Sequence, residues 1–73
     1  MPVHEYEKDS IGPRLKRIRV EAGVTQADMA LKLGVKQQVV AGYESSESNP
    51  TYNTLKKFAK VVDKRLQINF IDC

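Results

Sequence analysis

The sequence contains one cysteine, Cys73, one histidine and no tryptophan. A single cysteine excludes a disulfide within the chain, and there is no Cys/His cluster with the spacing of zinc ligands. A chain of 73 residues buries a modest core, and chains of this size often need a disulfide, a metal or oligomerisation. Of these three, oligomerisation stays open, and we expect no metal site and no cofactor.

Long apolar runs are also missing, since no stretch approaches the roughly 18 residues that cross a bilayer. The first ten residues, MPVHEYEKDS, are polar and acidic, unlike a signal peptide. We therefore expect a soluble, cytoplasmic protein. The sequence shows no nucleophile–base pair, phosphate-binding loop or carboxylate cluster, so an enzyme is not expected and no catalytic residue is assigned.

The net charge of +3 is unevenly distributed. Eleven of the 12 basic residues follow residue 9, but only six of the nine acidic ones do, which leaves residues 10–73 at +5. A compact basic domain favours an anionic partner, most commonly nucleic acid. A basic surface that is merely solvated is the alternative, and charge alone does not decide between them.

Apolar periodicity predicts four helices, separated by residues that favour turns. Ser10 caps the first and Gly23 follows it, Thr25 opens the second and Gly34 ends it, and Thr51 caps the fourth. The first helix covers about residues 11–22, with Ile11, Leu15, Ile18 and Ala22 facing inward. The third covers about residues 36–45, and in the fourth the inward positions are Leu55, Phe58, Ala59 and Val62.

After Asp63 the period changes, because Leu66, Ile68 and Phe70 alternate with the residues between them. This alternation predicts a strand. A solitary strand is unstable because its ladder groups are unpaired, so a second copy of the same strand is the simplest partner. Residues 3–7 are a weaker rival partner. The predicted organisation is a flexible arm at 1–9, a helical domain at 10–64 and a dimerisation strand at 65–73.

Residues 26–45, QADMALKLGVKQQVVAGYES, satisfy the demands of a helix-turn-helix. Ala30 is small enough for two helices to cross closely, and Gly34 tolerates the positive φ of a tight turn. Val35, Val40 and Tyr43 attach the second helix of the motif to the first. The sequence therefore predicts that the residues at the start of this second helix face a partner.

That helix begins with Lys36, Gln37 and Gln38. A glutamine can bond adenine N6 and N7 in the major groove, and a lysine can reach guanine or a phosphate. These three residues are therefore predicted to contact DNA. The alternative is that they are ordinary exposed polar residues.

Residues 14–62 resemble the Cro/C1-type helix-turn-helix family, which includes the lambda repressor-like proteins. The matching elements are the LKRIR run at 15–19, GVTQ at 23–26, Ala30, Gly34, the Tyr43-Glu44 pair, and NPT at 49–51 followed by Thr54-Leu55. The resemblance implies a mainly α, four- to five-helix lambda repressor-like DNA-binding domain, here with one C-terminal β-strand that pairs across a dimer.

The resemblance also implies roles for single residues. Gln37 and Gln38 match positions of base contact, and Val39 stands where it would meet a thymine methyl. Gln26 matches a residue that bonds phosphate and braces the DNA-reading helix. Arg19 with Glu44 matches an ion pair that joins the first helix to the third, and in that pair the arginine also faces phosphate. Further backbone contacts are implied for Ser45, Asn49, Tyr52 and Lys56. Gly42 departs from the pattern, since several relatives carry a base-reading polar residue there.

The C-terminal stretch TLKKFAKVVDKRLQINFIDC resembles helix-turn-helix antitoxins of bacterial toxin–antitoxin operons. This resemblance implies a homodimeric repressor of its own operon that reads palindromic double-stranded DNA and also binds a cognate toxin. A stand-alone phage or plasmid regulator without a toxin is one alternative. Another is a protein-interaction module that has lost DNA binding and uses the strand and Leu31 as its surface.

Overall fold

The computed structural model describes residues 11–72, and in this part of the chain it contains four helices. They are α1 (Ile11–Glu21), α2 (Gln26–Leu33), α3 (Gln37–Tyr43) and α4 (Tyr52–Val61). The predicted mainly α class is therefore confirmed. The predicted arm at 1–9, the Ser10 cap and the Cys73 thiol lie outside the described residues.

Two helices begin at threonine caps. The Thr25 hydroxyl accepts a hydrogen bond from the Asp28 backbone N–H at 3.0 Å, and the Thr51 hydroxyl accepts one from Thr54 at 3.1 Å. Each bond satisfies an N–H that the helix itself leaves unpaired, and a cap of this kind stabilises a helix by about 1 kcal/mol. Both helix starts agree with the sequence prediction.

Three helices end in the same backbone motif, in which a left-handed residue follows the helix and two crossing hydrogen bonds close it. Gly23 (φ 75°), Gly34 (φ 72°) and Asp63 (φ 60°) hold the left-handed position after α1, α2 and α4. After α4, the Asp63 N–H donates to Lys60 O at 3.1 Å and the Lys64 N–H donates to Ala59 O at 2.8 Å. An aspartate thus occupies the position that glycine holds in the other two turns.

The core is small and draws on all four helices. Its buried apolar side chains are Leu15, Met29, Ala30, Val40, Phe58 and Val62, and Ile11, Ile18, Leu33, Val35, Tyr43 and Leu55 pack partly against them. The prediction for Ala22 is wrong, because this residue is exposed. The reason is that α1 ends at Glu21 and the chain turns towards Gly23, which carries Ala22 off the inward stripe.

After Asp63 the chain forms a tail, residues 64–72, that is assigned to neither helix nor strand. Part of this tail lies beside α1 and α4, and together they enclose an apolar groove of about 450 Å³. A strand requires a partner for its ladder hydrogen bonds, so the strand inferred for residues 65–73 stays a prediction. In residues 11–72, no helix is long and apolar enough to cross a membrane.

Candidate nucleic-acid interface

The start of α3 presents its polar side chains to solvent. Lys36 caps the helix in an extended backbone conformation without a side-chain cap bond, and Lys36, Gln37 and Gln38 are all exposed. Val40 is fully buried in the same helix, and Val39 beside it is 37% exposed. Burial of Val40 therefore fixes which face of α3 points outward.

A recess of about 550 Å³ lies on this outward face. It is lined by Gln26 from α2 and by Lys36, Gln37, Gln38 and Ala41 from α3. Four residues that the sequence predicted for DNA contact, separated by up to 12 positions in the chain, thus meet at one place. Amide and ammonium groups in a shallow recess can bond to base edges or phosphate oxygens.

Gln26 is held in position by the end of α3. Its Nε2 donates to Glu44 Oε1 at 3.1 Å, which joins the first residue of α2 to the residue that follows α3. A glutamine amide carries two N–H donors and one acceptor oxygen. One N–H and the oxygen of Gln26 are therefore left for other partners at the edge of the recess.

Glu44 itself is buried against Arg19 of α1. Arg19 Nε donates to Glu44 Oε2 at 2.5 Å, and Arg19 Nη2 donates to Glu44 Oε1 at 3.1 Å. Arg19 Nη1 also donates to the Val24 carbonyl at 2.8 Å, and both charged residues are only 7% exposed. In the described part of the chain, no buried side-chain nitrogen or oxygen lacks a partner.

The burial of Arg19 bears on its two predicted roles. Arg19 forms the ion pair with Glu44, and this pair occupies two of its three guanidinium nitrogens. The third nitrogen bonds to the backbone of the turn before α2. A direct contact of Arg19 with phosphate stays a prediction. Only the guanidinium N–H groups that are not used in these three hydrogen bonds could make it.

The residues predicted to contact the DNA backbone beyond α3 are all exposed, namely Ser45, Asn49, Tyr52 and Lys56. Tyr52 and Lys56 lie one turn apart on α4, and the Lys56 Nζ is 5.3 Å from the centre of the Tyr52 ring. This cation–π contact holds the lysine near the start of the helix. Their contacts with phosphate stay predictions.

Sequence analysis missed Gly12. A Cβ atom at this position would lie 1.8 Å from the Ser45 carbonyl oxygen, so α1 meets the backbone that follows Glu44 with no room for a side chain. The available signal was a glycine inside a predicted helix, which costs stability unless close packing requires it. Gly12 thus helps to position the chain as it leaves α3.

Gly42, on α3, has a different environment. It is exposed, and a Cβ there would meet nothing within 4 Å. The absence of a side chain at this position therefore has no packing cause. Glycine leaves this part of the α3 surface without the polar side chain that several relatives carry at the same position.

A model of the helix-turn-helix family matches residues 15–69, which include all four helices except the first turn of α1. The chain belongs to the helix-turn-helix family. In this helix-turn-helix protein, α2 and α3 are the two helices of the motif, joined by the turn at Gly34. The described residues contain no group of three or more His, Cys, Asp or Glu side chains that would hold a metal.

Several curated proteins are similar to this helix-turn-helix protein. Antitoxin HigA1 of Mycobacterium tuberculosis is 33% identical over 51 residues, which cover 70% of the chain and 34% of the antitoxin. A putative multi-protein-binding factor 1 of Yarrowia lipolytica is 36% identical over 58 residues, covering 80% of the chain and 38% of the factor.

An uncharacterised helix-turn-helix transcriptional regulator of Archaeoglobus fulgidus is 31% identical over 58 residues, which cover 80% of the chain and 83% of the regulator. The chain spans only about a third of the length of the antitoxin and of the multi-protein-binding factor. No solved structure matches significantly.

Proposed function

We propose that this protein binds a palindromic double-stranded DNA operator as a homodimer and represses transcription. The observation that carries the proposal is the recess at the start of α3, where exposed Gln37 and Gln38 lie beside Gln26. Membership of the helix-turn-helix family and the similarity to a transcriptional regulator support DNA-binding regulation.

In this proposal α3 is the recognition helix and enters the major groove with its N-terminal residues towards the bases. Gln37 and Gln38 bond to base edges, Lys36 reaches guanine or an adjacent phosphate, and Val39 contacts a thymine methyl. The 37% exposure of Val39 supports an apolar contact, because part of its side chain lies at the surface. Gly42 contributes no side chain to base reading.

Contacts with the DNA backbone position the recognition helix. Gln26 uses the N–H that Glu44 leaves, and Tyr52 and Lys56 provide a hydroxyl and an ammonium from one face of α4. Ser45 and Asn49 add contacts from the loop between α3 and α4. Arg19 acts first through Glu44, because the buried pair joins α1 to the end of α3 and holds Gln26.

A homodimer is proposed because a palindrome has two half-sites, about 34 Å apart when they lie one turn of B-DNA apart. The tail provides the pairing surface through Leu66, Ile68 and Phe70. Leu66 is half-buried, whereas Ile68 and Phe70 are exposed apolar side chains of the kind that association buries.

The protein is further proposed to be an antitoxin that represses its own operon and binds a cognate toxin. The similarity to a protein named antitoxin HigA1 supports this role, and it concerns a segment that makes up 34% of that antitoxin. A stand-alone phage or plasmid regulator has the same DNA-binding surface without a toxin partner. Co-purification with the product of an adjacent gene separates these two possibilities.

A protein-interaction module is the second candidate function. The similarity to a protein named multi-protein-binding factor 1 favours it, as do the exposed apolar side chains outside the recess. Leu31 on α2 is 79% exposed, and Phe70 in the tail is fully exposed. In this reading the polar recess on α3 has no nucleic-acid partner.

The decisive experiment is selection of bound duplexes from a random DNA library, followed by anisotropy titration of the selected duplex and a scrambled one. Gln37→Ala or Gln38→Ala should weaken specific binding by about 1–3 kcal/mol and leave binding to scrambled DNA nearly unchanged. Val20→Ala is the control, since Val20 is exposed on α1 and does not line the recess.

Two results contradict the proposal in different ways. Equal losses on both duplexes would show that the glutamines do not read bases. Failure to enrich any duplex, with the full chain folded by circular dichroism, would favour the protein-interaction module.

A further inference from the structure

The tail carries the densest group of exposed apolar side chains in the described part of the chain. Three of the seven large hydrophobic residues exposed there, Ile68, Phe70 and Ile71, fall within four consecutive positions, and Phe70 is 100% exposed. Contiguous apolar side chains at a surface mark a contact site. In the single chain, these three apolar side chains are therefore left exposed to solvent.

The tail is also continuous with the groove between α1 and α4. Residues 64–69 form one side of the groove, opposite Ile11, Ile18 and Leu55. Any chain that pairs along the tail consequently lies at the mouth of this groove, where it can bury apolar side chains. Lys64 and Arg65 make the near end of the tail basic, and Asp72 makes its far end acidic.

We infer that the tail pairs antiparallel with the tail of a second copy, in a register whose two-fold axis passes through Ile68. This inference rests on the homodimer proposed above and specifies its interface. Residues directly opposite each other in an antiparallel pair share one face of the sheet. With the axis at Ile68, Leu66 lies opposite Phe70 of the second copy, and Ile68 lies opposite itself.

The same register matches the charges. It places Lys64 opposite Asp72 of the second copy, so an oppositely charged pair stands at each end of the ladder, and it places Gln67 opposite Asn69. Opposite charges and apolar pairs at directly facing positions are the arrangements that stabilise sheets. The apolar pairs, the oppositely charged pair and the amide pair thus agree with this register, and Arg65 opposite Ile71 is its one mismatch.

Neighbouring registers match apolar side chains with apolar ones less well. Moving the axis to Gln67 places Lys64 opposite Phe70, and moving it to Asn69 places Leu66 opposite Asp72. A shift of half a step, with the axis between residues 68 and 69, places Phe70 opposite Gln67 and Ile68 opposite Asn69. Each of these registers places at least two apolar side chains opposite polar partners, whereas the register at Ile68 does so only for Ile71, which lies opposite Arg65.

Disulfide cross-linking between copies tests the register without DNA. In a full-length Cys73→Ser background, Ile68→Cys places two thiols directly opposite each other, about 4.5–5.5 Å apart at Cβ. Gln67→Cys and Asn69→Cys are the matched controls, because each then faces its own copy only diagonally, at about 7–8 Å. Oxidised glutathione serves as the oxidant, and non-reducing electrophoresis measures the cross-linked dimer.

We expect Ile68→Cys to cross-link at least about tenfold faster than either control alone, because disulfides form only at short Cα separations. A mixture of Gln67→Cys and Asn69→Cys copies should form the mixed dimer readily. Faster cross-linking in a mixture of Ile68→Cys and Asn69→Cys copies would overturn the register in favour of the half-step shift.

Charge exchange gives a second, independent readout by analytical ultracentrifugation. Asp72→Lys places like charges opposite each other twice per dimer, so the dimer dissociation constant should rise about fivefold or more. Lys64→Glu combined with Asp72→Lys should restore it. Restoration by Arg65→Glu instead would overturn the register.

The outcomes also separate this inference from the proposed function. A dimer that cross-links at other positions would overturn the register and leave the homodimeric repressor intact. A full-length chain that stays monomeric on operator DNA would overturn both. A dimer with the expected cross-links that binds no DNA would support the interface and contradict the repressor.

Discussion

Arg19 and Glu44 are 25 positions apart in the sequence, yet they form a two-point ion pair that joins α1 to the end of α3. Their contacts are Nε to Oε2 at 2.5 Å and Nη2 to Oε1 at 3.1 Å, and both residues are buried. Glu44 Oε1 also accepts the Gln26 amide. One carboxylate therefore connects the core of the domain with the recess on α3.

Removing this carboxylate should destabilise the domain strongly. Glu44→Ala leaves the Arg19 guanidinium buried without its partner, which typically costs about 3–5 kcal/mol of the free energy of unfolding. Urea unfolding followed by circular dichroism measures the loss. Glu21→Ala is the control, because Glu21 is an exposed acidic residue on α1. Equal stabilities of the two variants would show that the pair does not hold the fold.

Gly12 should not tolerate a side chain. Gly12→Ala places a Cβ at 1.8 Å from the Ser45 carbonyl oxygen, so α1 or the backbone after α3 has to shift. We expect a loss of about 1–3 kcal/mol, the usual cost of overpacking. Thermal unfolding measures it.

Gly42→Ala is the matched control for this variant. Its Cβ meets nothing within 4 Å, and alanine is the better helix former, so this variant should gain about 0.5–1 kcal/mol. Losses of the same size in both variants would contradict the close approach of α1 to Ser45.

Replacing Asp63 with glycine should stabilise the folded protein. Its φ of 60° lies in the left-handed region, which glycine adopts at Gly23 and Gly34 in the equivalent turns. Asp63→Gly removes the strain of a Cβ in this region and should stabilise the folded state by up to about 1 kcal/mol. Asp63→Val should destabilise it, because branched side chains tolerate this conformation poorly. Chemical unfolding that ranks valine above glycine would refute this explanation of the turn.

DNA binding by the proposed dimer should depend steeply on salt. Each phosphate contact contributes about 0.9 to the slope of log affinity against log salt, so Lys56→Gln should lower the slope by about 2 per dimer. Anisotropy titrations between low and moderate salt measure this slope. Lys32→Gln removes the same charge from an exposed position on α2 and should leave the slope unchanged. An identical effect of both variants would indicate general attraction rather than a defined contact.

Much of the fold was predictable because it depends on local chemistry. Thr25 and Thr51 start their helices through their own hydroxyls, and Gly23 and Gly34 end theirs through a conformation that glycine adopts freely. The inward stripe of α4 was predictable for a similar reason, since Phe58 and Val62 repeat at helical spacing. The exception was Ala22, where the end of a helix changed the direction of the chain.

The exposed residues of the candidate site and the Arg19–Glu44 pair were predictable, but the hydrogen bond from Gln26 to Glu44 was not. Gln37 and Gln38 were placed by the turn before α3 and by the burial of Val40, both visible as patterns. The Arg19–Glu44 pair was expected from the family resemblance and not from any local pattern, and the hydrogen bond from Gln26 to the same carboxylate became visible only in the structure. Gly12 was missed because its cause, the Ser45 carbonyl, is 33 positions away in the sequence.

The sequence by itself determined the four helices, their threonine caps and glycine ends, the polar residues at the start of α3, and the alternating pattern of the tail. Each of these depends on hydrogen bonds and apolar spacing within a few residues. Only the tertiary structure decided that the Arg19–Glu44 pair is buried, that Gln26 donates to the same carboxylate, and that the tail forms one side of a groove with α1 and α4. The physical reason is that these contacts arise when segments remote in the chain are packed together, and their geometry follows from the whole core.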